Sequence, residues 1–250
     1  MSRPMTGTTQ PPGDQPAAPA DLHPVSLWEL PERGARGPKP RHDRAAIASA
    51  AVRIADAEGL DGLTMRRVAS ELGMATMTLY NYLPTKDHLA QLVMDELAAE
   101  YAYPPELPAD SRAAIAELAW QAREIARRHP WLARLAQIPH PPGPNGLRYL
   151  DYFLGLLNGS RLDTGAKLEV IALISGFATM YGALQATLSQ QGVTGSQHAA
   201  LHARAFARAA ASGQYPNLAS ALAAAGPARD EDAIFESSVT HLIDAAWLPA

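Results

Sequence analysis

Between residues 73 and 89 the chain reads GMATMTLYNYLPTKDHL. Two tyrosines, three threonines and one lysine crowd into a stretch where only Leu79 and Leu83 are plainly fit for a core. The methyl, hydroxyl and amide groups of Thr76, Met77, Thr78 and Asn81 can meet thymine methyls and base-edge acceptors, while the phenols of Tyr80 and Tyr82 can reach phosphate oxygens. Lys86 stands in the first turn of an expected helix, where the macrodipole disfavours a cation. A phosphate held between Lys86 and that helix N-terminus turns the penalty into attraction. Together these residue types have the chemistry of contact with a duplex polyanion, and as a set they are poorly explained as a solvated surface.

A second group of residues suits a different chemistry. Trp120, Trp131, His140, Asn145, Tyr149, Tyr152, Phe177, Tyr181 and Gln185 are large or amphipathic and cluster on the middle segments. Aromatic walls with a few polar groups fit an apolar, drug-sized ligand, although each residue taken singly is equally at home in a core. Catalytic patterns are scarce. No G-x-S-x-G, P-loop or G-x-G-x-x-G occurs, and His198 and His202, one helical turn apart, lack both an intervening HExxH glutamate and a third ligand. The chain has no cysteine, which removes disulfide scaffolds, zinc ribbons and thiol nucleophiles and fits a reducing cytoplasm.

The elements that must carry these groups are helices. Asp43 N-caps a first helix with Ile47, Ala51, Ile54 and Ala55 on one face, and Gly59 is placed to end it. Thr64 caps a two-turn helix with Val68, Ala69 and Leu72 inward. Gly73 then opens a tight turn, a third helix is expected over 76–82, and Thr85 caps a fourth whose stripe is Leu89, Leu92, Val93, Leu97 and Tyr101. Two short helices joined by a Gly-containing turn behind a longer one form the helix-turn-helix pattern. Further helices are expected at 111–128, 130–137, 144–158, 165–190, 196–212 and 231–246, and no stretch alternates as a strand would, so the fold class is all-α. Within 165–190, Val170, Ile174, Phe177, Tyr181, Leu184 and Leu188 make one apolar stripe. Ser175, Thr179, Gly182, Ala183 and Ala186 make a small-residue face suited to close approach by a partner subunit. The stripe Phe235, Val239, Leu242, Ile243 and Ala246 is expected to supply the other half of a four-helix dimer contact.

Charge divides the chain in the same way. Residues 33–88 hold nine basic and six acidic side chains, net +3, while the remainder carries −7 within a total of −4. Such asymmetry fits a small module that meets a polyanion, attached to a body that does not. Residues 1–40 are dense in Pro, Gly, Thr and Ala and are expected to form a disordered arm; ERGARGPKPRHDR within and after it reads as a minor-groove arm or as a solubilising tail. The N-terminus lacks the apolar run of a signal peptide. The apolar run from Val170 to Leu184 is broken by small and polar residues and falls short of the roughly 20 residues of a membrane span, so it reads as a buried helix with no membrane partner.

The segment GLDGLTMRRVASELGMATMTLYNYLPTKDHLAQLV resembles the DNA-binding domain of the TetR family of bacterial transcriptional repressors, over residues 43 to about 95. The resemblance implies that Thr64, Met65, Arg66, Thr76, Met77, Thr78, Tyr80, Asn81, Tyr82 and Lys86 occupy DNA-contacting positions, with Arg66 a base reader and Tyr80 and Lys86 phosphate clamps. REIARRHPWLARLAQ, YPNLASALAAAG and FESSVTHLIDAAW are similar, more loosely, to the regulatory domain of the tetracycline-repressor branch. This implies a dimeric helical core that takes a small-molecule effector. The branch's His-x-x-Thr-Arg-Pro motif has no counterpart in IPHPPGPNG, so the likeness does not extend to a magnesium–tetracycline effector, and no cofactor is implied. The expected organisation is an arm at 1–40, a helix-turn-helix DNA-binding domain at 41–88 and an effector-binding and dimerisation domain at 89–250. The expected function is a cytoplasmic, homodimeric repressor released from a palindromic operator by a largely apolar effector. A regulator without a small ligand and a helical metal-dependent enzyme are the alternatives.

Overall fold

The computed structural model describes residues 26–31, 42–224, 226 and 229–247, and among them every regular element is helical. Helix α1 (Arg44–Gly62) starts where the Asp43 carboxylate accepts the Ala46 N–H at 2.8 Å. Gly59 (φ 73°) does enter the left-handed region, but it kinks the helix and the chain stays helical to Gly62. Helix α2 (Met65–Glu71) is capped by Thr64, and Gly73 (φ 63°) makes the turn into α3 (Thr76–Tyr80), two residues shorter than expected. Helix α4 (Lys86–Ala98) begins with a capping box in which Thr85 accepts the His88 N–H and the His88 ring accepts the Thr85 N–H. Tyr101 lies beyond its end. The body follows as α5 (Ser111–Arg128), α6 (Leu132–Leu135), α7 (Pro144–Leu156), α8 (Thr164–Gln190), α9 (Gly195–Ala211), α10 (Pro216–Ala223) and α11 (Glu231–Ala245). Helix α10, which opens on Pro216, was not expected from periodicity.

Two apolar cores result. The first joins Ile47, Ile54, Val68, Leu79, Leu83, Leu89 and Val93 of α1–α4 to Ile125, Trp131, Leu132 and Leu135 from the α5–α6 region. The second joins α5, α7, α8 and α11 through Ile115, Leu118, Phe153, Ile171, Ile174, Phe235, Val239 and Ile243. Helices α9 and α10 pack on each other and bury no residue.

Three expectations are corrected. Leu27–Glu29, inside the segment expected to be disordered, forms a 3-10 turn whose Leu27 is wholly buried in the first core; the rest of the 1–40 arm and most of ERGARGPKPRHDR lie outside the described residues. A leucine that fills a core gap repays the ordering of its own short turn. On α8 the small residues serve this chain itself. A Cβ at Gly182 would overlap the Arg123 carbonyl oxygen of α5, so the glycine permits the α5–α8 contact, and Ala183 is buried beside it. The α8 face left exposed carries Leu173, Gly176, Met180 and Leu184 instead, and Phe235, Val239, Ile243 and Ala246 of the last helical segment point into this chain's own core. Finally, α8 has the length and mean apolarity of a membrane span, but one face of it packs along α5 and α11.

Candidate functional site

The helix-turn-helix brings most of its predicted contact residues to one surface. Arg66, Met77, Thr78, Tyr80, Asn81 and Lys86 are exposed; Met77 at 74% is an apolar side chain left in solvent that a packing role does not explain. Thr76 is half-buried. Thr64 is exposed, with its hydroxyl accepting the Arg67 N–H at 3.1 Å. Tyr82 is half-buried with its ring against the first core. Met65 departs from the expectation: it is 6% exposed and belongs to the core, because the first residue of so short a helix must supply the apolar face that holds α2 on α1. Cations on this surface are not equivalent. Arg67 is tied to Glu58 at 2.8 Å and Glu71 at 2.9 Å, and these bonds, Glu71 first, hold its guanidinium above the usual range. Arg66 and Lys86 have no ion pair among the described residues and remain available to an anion.

Polar clasps fix this unit to the body. Asp56 of α1 accepts the Trp131 indole N–H at 2.9 Å and faces His129 Nδ1 at 2.6 Å, while Glu100 meets His129 Nε2 at 3.2 Å and Arg128 at 2.5 Å. Arg134 reaches Asp61 at 3.1 Å; this bond, with Lys86 a lesser influence, holds the Asp61 carboxyl below its ordinary range.

A cavity of about 610 Å³ lies immediately below, walled by α4, α6, α7 and α8. Its surface is mostly apolar, with Met94, Leu97, Ile125, Leu132, Leu150 and Met180 among the lining residues. Polar groups are few. The Tyr149 hydroxyl and Ser175 Oγ share a hydrogen bond at 2.7 Å, and Tyr101 lies against Tyr149 with ring centroids 4.5 Å apart. Burial pushes the Tyr149 phenol up to about 12 against the opposing bonds from Ser175 and Tyr101, and burial raises Tyr101 as well. Both are neutral hydroxyls at physiological pH. Asp95 of α4 accepts the backbone N–H groups of Asn145 at 2.9 Å and Gly146 at 3.0 Å, and so caps the start of α7 from another helix. Gly143 fits this corner only because it lacks a side chain; a Cβ would meet the Asp95 carboxylate and the Trp28 ring.

Of the ligand candidates read from sequence, the structure brings His140 and Tyr149 to this cavity. Asn145 sits at its edge, donating its amide to Asp95 at 3.0 Å. Trp131 belongs to the clasp on Asp56. Tyr152 stacks on Tyr103 in a separate groove, with centroids 4.5 Å apart. Trp120, Phe177, Tyr181 and Gln185 gather elsewhere, around Arg123. This arginine is buried; its guanidinium lies 4.5 Å from the Trp120 ring centroid, donates to Gln185 at 2.7 Å and pairs with Asp232 at 2.6 Å. Tyr181 and Phe235 complete that cage, which joins α5, α8 and α11. The reason is geometric: Phe177, Tyr181 and Gln185 recur every four residues on α8 and share one face, which turns to α5 and α11, whereas the cavity takes Ala172, Ser175, Gly176, Thr179 and Met180 from another face of the same helix. Gln91, Asp95, Tyr101 and Ser175 were missed; polar residues recurring at helical spacing inside the apolar stripe of α4 were the available signal. His198 and His202 share a hydrogen bond at 3.2 Å on an exposed face, and no group of three or more metal-ligating side chains occurs among the described residues.

Comparison with known proteins matches two segments of the chain. Residues 47–93 match the bacterial regulatory proteins of the tetR family, and residues 104–245 match the tetracyclin repressor-like C-terminal domain. The HTH-type transcriptional repressor DrrR1 of Streptomyces coeruleorubidus is 37% identical over 205 residues, covering 78% of this chain and 74% of that one. An HTH-type transcriptional regulator of Saccharopolyspora erythraea is 28% identical over 221 residues, covering 88% and 90%. Among solved structures, apo ActR of Streptomyces coelicolor superposes with a TM-score of 0.67 at 30% identity, over 83% of this chain and 98% of that one. ActR in complex with actinorhodin gives 0.67 at 28% identity, over 82% and 95%. An exposed helix-turn-helix surface, a cavity sharing α4 with it and these likenesses converge: the chain belongs to the tetR family and is a ligand-responsive, DNA-binding transcriptional repressor.

Proposed function

We propose that the protein is a cytoplasmic homodimer without enzymatic activity that holds a near-palindromic operator and lets go when a small, largely apolar effector fills the cavity. The observation that carries this reading is the double role of α4. Its Leu89, Leu92 and Val93 pack within the first core beneath α1, while its Met94, Asp95, Leu97 and Ala98 wall the cavity. A ligand that displaces α7 pulls on Asp95 and so tilts α4 and the helix-turn-helix with it. Residues 41–88 read the operator and residues 89–250 bind effector and partner. Arg66, Thr76, Met77, Thr78 and Asn81 face bases, and Thr64, Tyr80, Tyr82 and Lys86 serve phosphates.

In the dimer, two α3 helices about 34–36 Å apart enter successive major grooves. The exposed α8 stripe of Leu173, Met180 and Leu184, with Ile234 of α11, supplies an apolar contact surface for the second copy. Leu201 and Phe206 of α9, exposed among the described residues, favour the same partner. ActR has been solved with actinorhodin and with (S)-DNPA, which supports the cavity as an effector site. Complete release from the operator requires the effector to prefer the released state by about 10⁴-fold, or roughly 5.5 kcal/mol.

The test is binding to DNA flanking the protein's own gene at two salt concentrations, beside a Tyr80→Ala, Lys86→Ala double variant. Tight, salt-sensitive binding that the variant loses is expected. Equal binding by both proteins, or none by either, overturns the operator contact, and operator affinity that no ligand of the cavity alters overturns the release.

A further inference from the structure

Helix α9 carries two histidines one turn apart, His198 and His202, and their ring tips converge. The two Nε2 atoms lie 3.2 Å from each other, with ring centroids 4.6 Å apart and planes inclined at 68°. Residues four apart on a helix share a face, yet two side chains on an exposed face are free to splay into water. Here the nitrogens meet instead. Imidazole nitrogens bind zinc at about 2.0–2.1 Å. Two nitrogens 3.2 Å apart, each at that distance from a common point, subtend about 100° there, between the angles of a square-planar and a tetrahedral centre.

The backbone beneath the pair is fixed without help from an ion. The Thr194 hydroxyl accepts the Gln197 N–H at 3.2 Å and the Gln197 side-chain oxygen accepts the Thr194 N–H at 2.9 Å, a capping box that closes the first turn of α9. His198 donates its N–H to the Thr194 carbonyl at 3.0 Å, which places the first histidine in the regular helix. Phe206 lies against His202, with centroids 5.8 Å apart, and restricts the directions open to that ring. Nearby charge is low. Arg204, two residues past His202, lies about 200° round the helix, Arg208 lies a further turn on, and α10, packed on α9, has no charged residue.

We propose that His198 and His202 form a two-nitrogen chelate for a late first-row divalent cation, held through both Nε2 atoms with water completing its coordination. The ion takes the place of the one proton that the two Nε2 atoms share, and each ring then keeps its proton on Nδ1. Imidazole suits copper, nickel and zinc, and the Irving–Williams order places copper(II) first. No group of three metal-ligating side chains occurs among the described residues, so the bound ion keeps exchangeable positions. The site stands apart from the cavity, none of whose lining residues is on α9. It shares a face with Leu201 and Phe206, and so lies beside the surface proposed to meet a second copy.

Calorimetric titration of copper(II), nickel(II), zinc(II) and magnesium(II) into the full, untagged chain tests it, beside electron paramagnetic resonance of the copper-loaded protein. One strong copper(II) site per chain is expected, with nickel(II) and zinc(II) weaker, magnesium(II) unbound, and hyperfine structure from two nitrogens. His198→Gln and His202→Gln should each weaken copper(II) binding about 100-fold, because the second nitrogen acts at the high effective concentration that the helix imposes. Circular dichroism should show unchanged helicity in both, since His202 is exposed and His198 half-buried. His202→Gln combined with Ala203→His keeps the number of histidines but breaks their spacing, and should bind no better than His202→Gln alone. Binding undiminished in either single variant, binding restored by the displaced histidine, a copper signal from a single nitrogen, or no binding by the unaltered chain overturns the proposal.

Discussion

At the residue scale, similar side chains in one short segment have unlike duties. Lys86 is a cation at the start of α4 with no ion pair among the described residues, whereas Arg67, in the same unit, is spent on Glu58 and Glu71. Lys86→Ala should therefore weaken operator binding evenly across sequences and reduce the slope of log affinity against log salt by about 1, in a titration by fluorescence anisotropy. Met65→Ala should act on the fold: truncating this buried side chain should cost about 2–5 kcal/mol in a denaturant melt, with operator preference unchanged in the folded fraction. Tyr149 carries a pH signature. Burial pushes its folded-state phenol up to about 12 from the ordinary 10.0, so its contribution to stability is complete below pH 10 and is lost as pH rises through about 12. Melting temperature measured across that window should fall less steeply in Tyr149→Phe, which has no proton to lose.

At the element scale, the contacts that transmit force are helix to helix. Gly182 lets α8 approach the α5 backbone at Arg123. Gly182→Ala should force the pair apart at a cost of about 1–3 kcal/mol, visible as a lower melting temperature. Asp95 ties α4 to the first turn of α7. Asp95→Ala removes that tie, and the expected outcome is a protein that still binds operator but is released less completely by a given effector, as read in a release titration. Signals for the elements themselves were legible in the sequence. Asp43, Thr64 and Thr85 each cap the helix expected of them, because a cap satisfies N–H groups within three residues of itself. Helix α3 ends early at Tyr80, and α10 was not anticipated: short helices depend on what they pack against more than on their own pattern.

At the scale of the whole molecule, the exposed apolar face of α8 is the largest unmet demand. Met180 is 61% exposed in the single chain, with Leu173 and Leu184 on the same stripe. Met180→Asp should convert the proposed dimer to monomer in analytical ultracentrifugation. Operator affinity should fall with it, since one recognition helix alone reads half a site.

What the sequence determined by itself is the set of local facts: an all-helical chain, caps at Asp43, Thr64 and Thr85, the helix-turn-helix and its solvent-facing Thr78, Tyr80, Asn81 and Lys86. These follow from spacings of three or four residues, which a linear reading contains. What the tertiary structure alone decided is which distant groups meet. Gln91 finds Leu27 across 64 residues, Asp95 finds Asn145 across 50, and Arg123 finds Asp232 across 109. Such pairings divided the aromatic candidates between a cavity wall, an arginine cage and an interdomain clasp, and they drew Leu27 out of a segment whose composition forecast disorder. The physical reason is that burial and hydrogen-bond satisfaction are settled by the packed molecule as a whole, whereas helix caps and periodicity are settled within a turn or two of chain.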